Sequence, residues 1–169
     1  MTTIVFNRHR AELCCDLQFT IANNKYTAAS KILTTANFAM GLSGDAADCH
    51  LFFDEFSKLV IDPSSQYYCL TTDQSYDMQA VMVLRGSLRT FRAVSSAGAG
   101  GKHRTLFVEV IDPYVAVGSG GDMALMLLYD RNGRGDTYEV IEQVSHMDAY
   151  TGSATKTFNC EKWEFYNHV

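Results

Sequence analysis

The chain has 169 residues, of which 47% are hydrophobic and only two are proline, so it can bury a sizeable core and is too apolar to be disordered. Its formal charge of −5 leaves no basic footprint for nucleic acid, and no Lys/Arg cluster supplies a local one. The longest apolar runs, such as MALMLLY at 123–129, are too short to span a bilayer, and MTTIVFNRHR lacks the apolar core of a secretory signal.

TTIVFNRH (2–9) and AELCCDLQF (11–19) read as two strands joined by a tight turn. SKILTTA (30–36) and NFAMGLS (37–43) suggest a second pair, with the asparagines at 23–24 marking the loop between. The period then changes. In GDAADCHLFFDEFSKLV, Ala47, Leu51, Phe52, Phe56, Leu59 and Val60 fall on one helical face, with Asp45 as N-cap and the Asp62–Pro63 pair as stop. Residues 61–77 have no clear period and read as a loop. AVMVL (80–84) and LRTFRAV (88–94) form a hairpin signal, SSAGAGGKH (95–103) a mobile surface loop, and TLFVEVI (105–111) a further strand. MALMLLYD is apolar nearly all round, as in a helix covered on both sides. DTYEVIEQVSHMD (136–148) repeats Tyr138, Ile141 and Val144 at helical spacing, and TKTFN and KWEFYNH close with two strands. Strands in runs with helices set apart indicate an α+β domain of antiparallel sheets covered by helices, spanning 1–169.

Several stretches carry candidate chemistry. Five cysteines without a CxxC pair read as reduced core residues of a cytoplasmic chain, and the five histidines (His9, His50, His103, His146, His168) lack metal-ligand spacing. No metal or other cofactor is expected. Asp16 and Lys31 both sit in apolar surroundings. They form either a structural ion pair, two solvated strand positions, or a lysine whose acidity is managed by a carboxylate beside a nucleophile. GLSGDAAD places two glycines before a helix N-terminus, which is an ordinary turn or a ready oxyanion site. GSGG (118–121) has neither the GxGxxG spacing nor the lysine of a phosphate loop, so it reads as a tight turn presenting Ser119. Finally, Thr2 stands next to the amino terminus. A threonine hydroxyl needs a base, and an α-amine with a reference pKa of about 7.7–8.0 is an economical one.

Taken together, these stretches resemble the proteasome β-subunit and HslV protease family of N-terminal-nucleophile hydrolases. GLSGDAADCHLFF is similar to the glycine–AADC segment of proteasome β-subunits. TTIV with DLQ and KI resembles HslV, and VAVGSGGDMA and MDAYTGS match two further segments in the right order. The resemblance spans 2–60 and 105–155. It departs at Cys15, where the family usually shows glycine, at 61–79, which lacks the period of the family's second helix, and at the loop 95–104.

The resemblance implies a four-layer αββα sandwich assembled into stacked rings around a chamber, degrading unfolded polypeptide with a possible ATP-driven unfoldase as partner. Residue by residue, it makes Thr2 the nucleophile once Met1 is removed. Lys31 would favour deprotonation of its hydroxyl, and Asp16 would hold Lys31. Ser119, Asp148 and Thr151 would orient the freed amine, and the Gly44 N–H would bind the oxyanion. Backbone around Thr20 and Ile21 would pair with an extended peptide, and Leu42 would shape its first pocket. A chain that retains Met1 would instead be a structural or assembly subunit with an idle site, and a related amidase would act on a small molecule.

Overall fold

The computed structural model describes residues 2–21, 24–27 and 30–166. Met1, Asn23 and His168, on which expectations from the sequence fall, lie outside the described residues. The elements follow the anticipated order of strands, one helix, strands, two helices and strands.

β1 (Thr3–Asn7) and β2 (Glu12–Asp16) are antiparallel neighbours joined by a single 3₁₀ turn at Arg8–Arg10. Ala11 closes that turn in the left-handed region, at φ 52°. The predicted strand 11–19 is in fact two. The chain breaks at Leu17, and β3 (Gln18–Ile21) leaves the sheet and, among the described residues, pairs only with β4 (Asn24–Thr27). The break is made by the Asp16 carboxylate, which accepts the Gln18 N–H at 3.1 Å and turns the backbone.

β5 (Ile32–Thr34) and β6 (Phe38–Gly44) lead into α1 (Ala46–Ser57). Asp45 caps α1 as expected, accepting the Asp48 N–H at 3.0 Å. The buried face is Cys49, Phe52 and Phe56, so the helix is rotated from the predicted stripe and leaves Ala47, Leu51 and Val60 exposed. It also ends several residues before Pro63. The chain instead forms a turn in which the Asp62 carboxylate accepts the Ser64 N–H and hydroxyl.

The stretch read as a loop contains β7 (Tyr67–Thr72), which pairs with β10 (His103–Val110) at the sheet edge. β8 (Met78–Leu84) and β9 (Thr90–Ala97) form the expected hairpin. The supposed mobile loop 95–103 is largely ordered strand. β9 and β10 continue in register to Ala97 and His103 around one 3₁₀ turn. β11 (Tyr114–Gly118), α2 (Gly121–Arg131), α3 (Thr137–Ser145), β12 (Thr155–Asn159) and β13 (Glu164–Tyr166) complete the chain. α2 is covered on one side only, through Ala124 and Leu128, while Met126 is 73% exposed.

Two larger antiparallel sheets result, ordered β11-β1-β2-β12-β13 and β5-β6-β8-β9-β10-β7. Alternation along each strand divides the core into three clusters. Phe52 and Phe56 of α1 pack on Met40, Met82, Phe91 and Phe107 of the six-stranded sheet. Ile4, Phe6 and Leu13 of one sheet meet Ala39, Val81 and Val83 of the other. Val5, Cys14 and Ala116 meet Leu128 of α2 and Ile141 and Val144 of α3. The fold is thus mixed α+β with three α-helices among the described residues.

Candidate active site

The alternation that builds β1, continued one residue back, separates Thr2 from Thr3. Ile4 and Phe6 point between the sheets and Val5 toward α2 and α3, so Thr3 faces the helices and Thr2 the opposite side. Thr2 is 2% exposed, and its Oγ1 has no hydrogen-bond partner among the described residues. Its carbonyl is held by the Ser119 N–H at 3.0 Å and the Ser43 hydroxyl at 3.4 Å.

Two glycines give the backbone its close approach there. Gly118 has φ +94°, and a Cβ on it would lie 1.5 Å from the Thr2 carbonyl oxygen. Gly44 has φ +135°, and a Cβ would lie 2.2 Å from the Asp77 carbonyl oxygen. Both positions require glycine.

Thr2 opens onto a cavity of about 530 Å³. Five other predicted residues line it: Thr20, Ile21, Lys31, Leu42 and Gly44. Sequence reasoning missed Phe19, Ser43, Cys49 and His50, which line it too. The i, i+3, i+4 spacing of Ala46, Cys49 and His50 at the start of α1 was the available signal.

Lys31 Nζ lies 3.4 Å from Asp16 Oδ1 and also donates to the Gln18 carbonyl. Burial pushes the Lys31 ammonium below its ordinary pKa, and Asp16 opposes that shift. Asp16 is wholly buried and fully engaged. It accepts the N–H groups of Thr3 at 2.9 Å, Gln18 at 3.1 Å and Gly152 at 2.9 Å. Of the alternatives open from the sequence, two solvated strand positions are excluded: a partly buried lysine on the cavity wall is paired with a wholly buried carboxylate. Burial, followed by the charges of Asp45, Asp48 and Asp77, pushes the Cys49 thiol up to about 12, which disfavours its thiolate.

Ser119, Asp148 and Thr151 form a second cluster. The Ser119 and Thr151 hydroxyls both donate to Asp148 Oδ2, at 2.5 and 2.6 Å. Burial alone would raise the Asp148 pKa, but these two hydroxyls and the Tyr150 N–H hold it below the ordinary carboxylate value. None of the three lies on the cavity wall. They reach Thr2 through the Ser119 N–H and reach Thr3, which sequence reasoning missed, through Thr151 Oγ1 at 2.6 Å. Among the described residues no cluster of His, Cys, Asp and Glu could hold a metal ion.

Chemically, the arrangement brings together a buried Thr2 hydroxyl with no hydrogen-bond partner among the described residues, a lysine paired with a buried carboxylate, a second carboxylate bonded by two hydroxyls, and a cavity that Thr2 and Lys31 both line. No family model and no curated protein matches the sequence. Solved structures do match in fold. Thiobacillus denitrificans BPH in complex with epoxomicin superposes with a TM-score of 0.67 at 17% identity, over 93% of this chain and 97% of that one. A second structure of Thiobacillus denitrificans BPH gives 0.63 at 14%, over 93% and 96%. Eukaryotic HslV from Trypanosoma brucei gives 0.60 at 14%, over 99% and 100%. The motif resemblance read from the sequence is met by likeness over nearly the whole length, and the chain has the fold of the HslV and proteasome β-subunit family.

Proposed function

We propose that the chain is a threonine peptidase of the N-terminal-nucleophile hydrolases, a single domain built as a four-layer αββα sandwich. The observation that carries this reading is the buried Thr2 hydroxyl, without a hydrogen-bond partner among the described residues, on the wall of a cavity of about 530 Å³ that Lys31 also lines. The three core clusters, between helix and sheet, sheet and sheet, and sheet and helices, support the layering.

Removal of Met1 frees the α-amine of Thr2. That amine takes the proton from Oγ1, directly or through one water, as Oγ1 attacks the substrate carbonyl carbon. The Lys31 charge favours the developing alkoxide, and Asp16 keeps the lysine in place. The Gly44 N–H receives the tetrahedral oxyanion, a contact typically worth about 3–4 kcal/mol. The C–N bond breaks, the leaving amine takes the proton, and an ester remains on Thr2. Water, deprotonated by the same amine, hydrolyses that ester. The edge formed by Thr20 and Ile21 pairs with an extended unfolded polypeptide, and Leu42 with Cys49 walls the first apolar pocket. The exposed Met126 and Tyr129 on α2 support self-association; by family likeness the proposal extends to rings in the cytoplasm fed by an ATP-dependent unfoldase.

The test combines intact mass with epoxomicin. A species lacking Met1 that gains one epoxomicin per chain and turns over peptides is expected, with Thr2→Ala folded and silent. A protein that keeps Met1 and never labels sinks the reading and leaves a structural subunit with an idle site.

A further inference from the structure

We propose that Thr3 is a positioning residue for the Thr2 reaction, its hydroxyl holding the Thr151–Asp148–Ser119 cluster in one hydrogen-bonding direction. This rests on the peptidase reading above.

The direction follows from counting protons. The Asp148 carboxylate accepts only, so Thr151 spends its single hydroxyl proton on Asp148 Oδ2. The contact of 2.6 Å between Thr3 Oγ1 and Thr151 Oγ1 must then run from Thr3 to Thr151. Thr3 Oγ1 in turn accepts the Gly120 N–H at 3.1 Å. A run of one polarity results, from a backbone amide through two hydroxyls into a carboxylate, and such chains strengthen each member.

Thr3 is also tied to the other half of the site. Its backbone N–H donates at 2.9 Å to Asp16 Oδ1, the oxygen that Lys31 reaches at 3.4 Å. One residue therefore bonds to the lysine-holding carboxylate through its backbone and to the amine-orienting cluster through its side chain. It is covalently joined to the nucleophile, so its fixation is the fixation of Thr2.

Thr3 is 0% exposed and absent from the cavity wall, so it does not touch substrate. The fit is tight, since a Cβ on Gly120 would lie 2.4 Å from Thr3 Oγ1. A valine of the same shape would fill this space. It would leave the Gly120 N–H without its acceptor and Thr151 without its donor, free to rotate away from Asp148.

The experiment compares Thr3→Val, Thr3→Ser and wild type. For Thr3→Val we expect kcat to fall at least about tenfold with KM within about twofold, because orientation is lost while the cleft is intact. Thr3→Ser, which keeps the hydroxyl, should recover most of kcat. A folded Thr3→Val with wild-type kcat, or a Thr3→Ser as impaired as Thr3→Val, overturns the proposal. Neutron diffraction from deuterium-exchanged wild-type crystals reads the same relay without turnover, even if Thr3→Val fails to fold. A deuteron on Thr3 Oγ1 aimed at Thr151 supports it, and one on Thr151 aimed at Thr3 overturns it. Failure of the peptidase reading looks different: wild type itself neither labels nor turns over.

Discussion

At the Thr2 hydroxyl two physical demands conflict. Burial asks for a hydrogen-bond partner, at a penalty of about 1–3 kcal/mol when none is made, whereas a nucleophile needs its oxygen free. Among the described residues burial without a partner prevails, as the proposed peptidase reading requires, with the substrate as the missing partner. Gly118 maintains this arrangement. Gly118→Ala should push the Thr2 carbonyl off the Ser119 N–H, costing about 1–3 kcal/mol in stability through overpacking. Denaturant midpoints and epoxomicin labelling rates should both fall. Unchanged labelling would show that Thr2 tolerates the displacement. Asp148 gives a pH test. Its folded pKa lies below the reference 3.8, so the unfolded chain binds more protons between the two values. Its stabilisation is therefore full above about pH 4 and lost as pH falls through the folded value. The advantage of wild type over Asp148→Asn in unfolding free energy should shrink in acid, and a constant difference down to pH 2.5 would contradict the sign. Asp16 and Lys31 were legible in the sequence because charged groups among apolar neighbours demand a reason, whereas Asp148 came only from the resemblance carried by MDAYTGS. Thr3 was not, because a threonine early in a strand is ordinary until the helix-side partners Gly120 and Thr151 are known.

Among the elements, α1 was legible at its start and illegible at its face. Asp45 is followed three residues later by the N–H it accepts, a local signal independent of tertiary structure. Asp45→Ala should lower stability by about 1 kcal/mol, seen as a smaller denaturation midpoint at unchanged slope. A change in slope would instead mean that the helix is no longer part of the folded unit. The buried face could not be read because phenylalanines and leucines stand on both sides. The sheet selects Phe52 and Phe56 because they reach Phe107 and Met82, leaving Leu51 to solvent. β7 was hidden for a related reason. Its buried Tyr68 and Leu70 alternate with Tyr67 and Cys69, which are also apolar, so the sequence shows no period of two. The split after Asp16 was hidden because it depends on a carboxylate bonding its own backbone, in a run that otherwise alternates like a strand.

For the whole molecule, the all-round apolarity of α2 was read correctly as composition but needs a second partner to be satisfied. One side packs on β1 and β11 through Ala124 and Leu128. The other presents Met126 at 73% and Tyr129 at 49% exposure, flanked by Asp122 and Asp130. An apolar stripe between acidic residues on a chain already carrying −5 is poorly placed to meet another acidic surface. It is well placed to meet apolar surface of a second copy if the aspartates stay at the rim, where charges remain hydrated. Met126→Glu puts a charge in the middle of the stripe rather than at its edge. If α2 is buried between copies in the proposed rings, this variant should sediment as smaller particles than wild type at equal concentration. Its far-ultraviolet dichroism should be unchanged, since Met126 is largely exposed. Epoxomicin labelling of the dissociated chain then separates two dependencies. Retained labelling means that the Thr2 site is complete within one chain. Lost labelling means that the site is shaped by its neighbours. A Met126→Glu particle of wild-type size would place the contact between copies elsewhere and leave α2 free for a different partner.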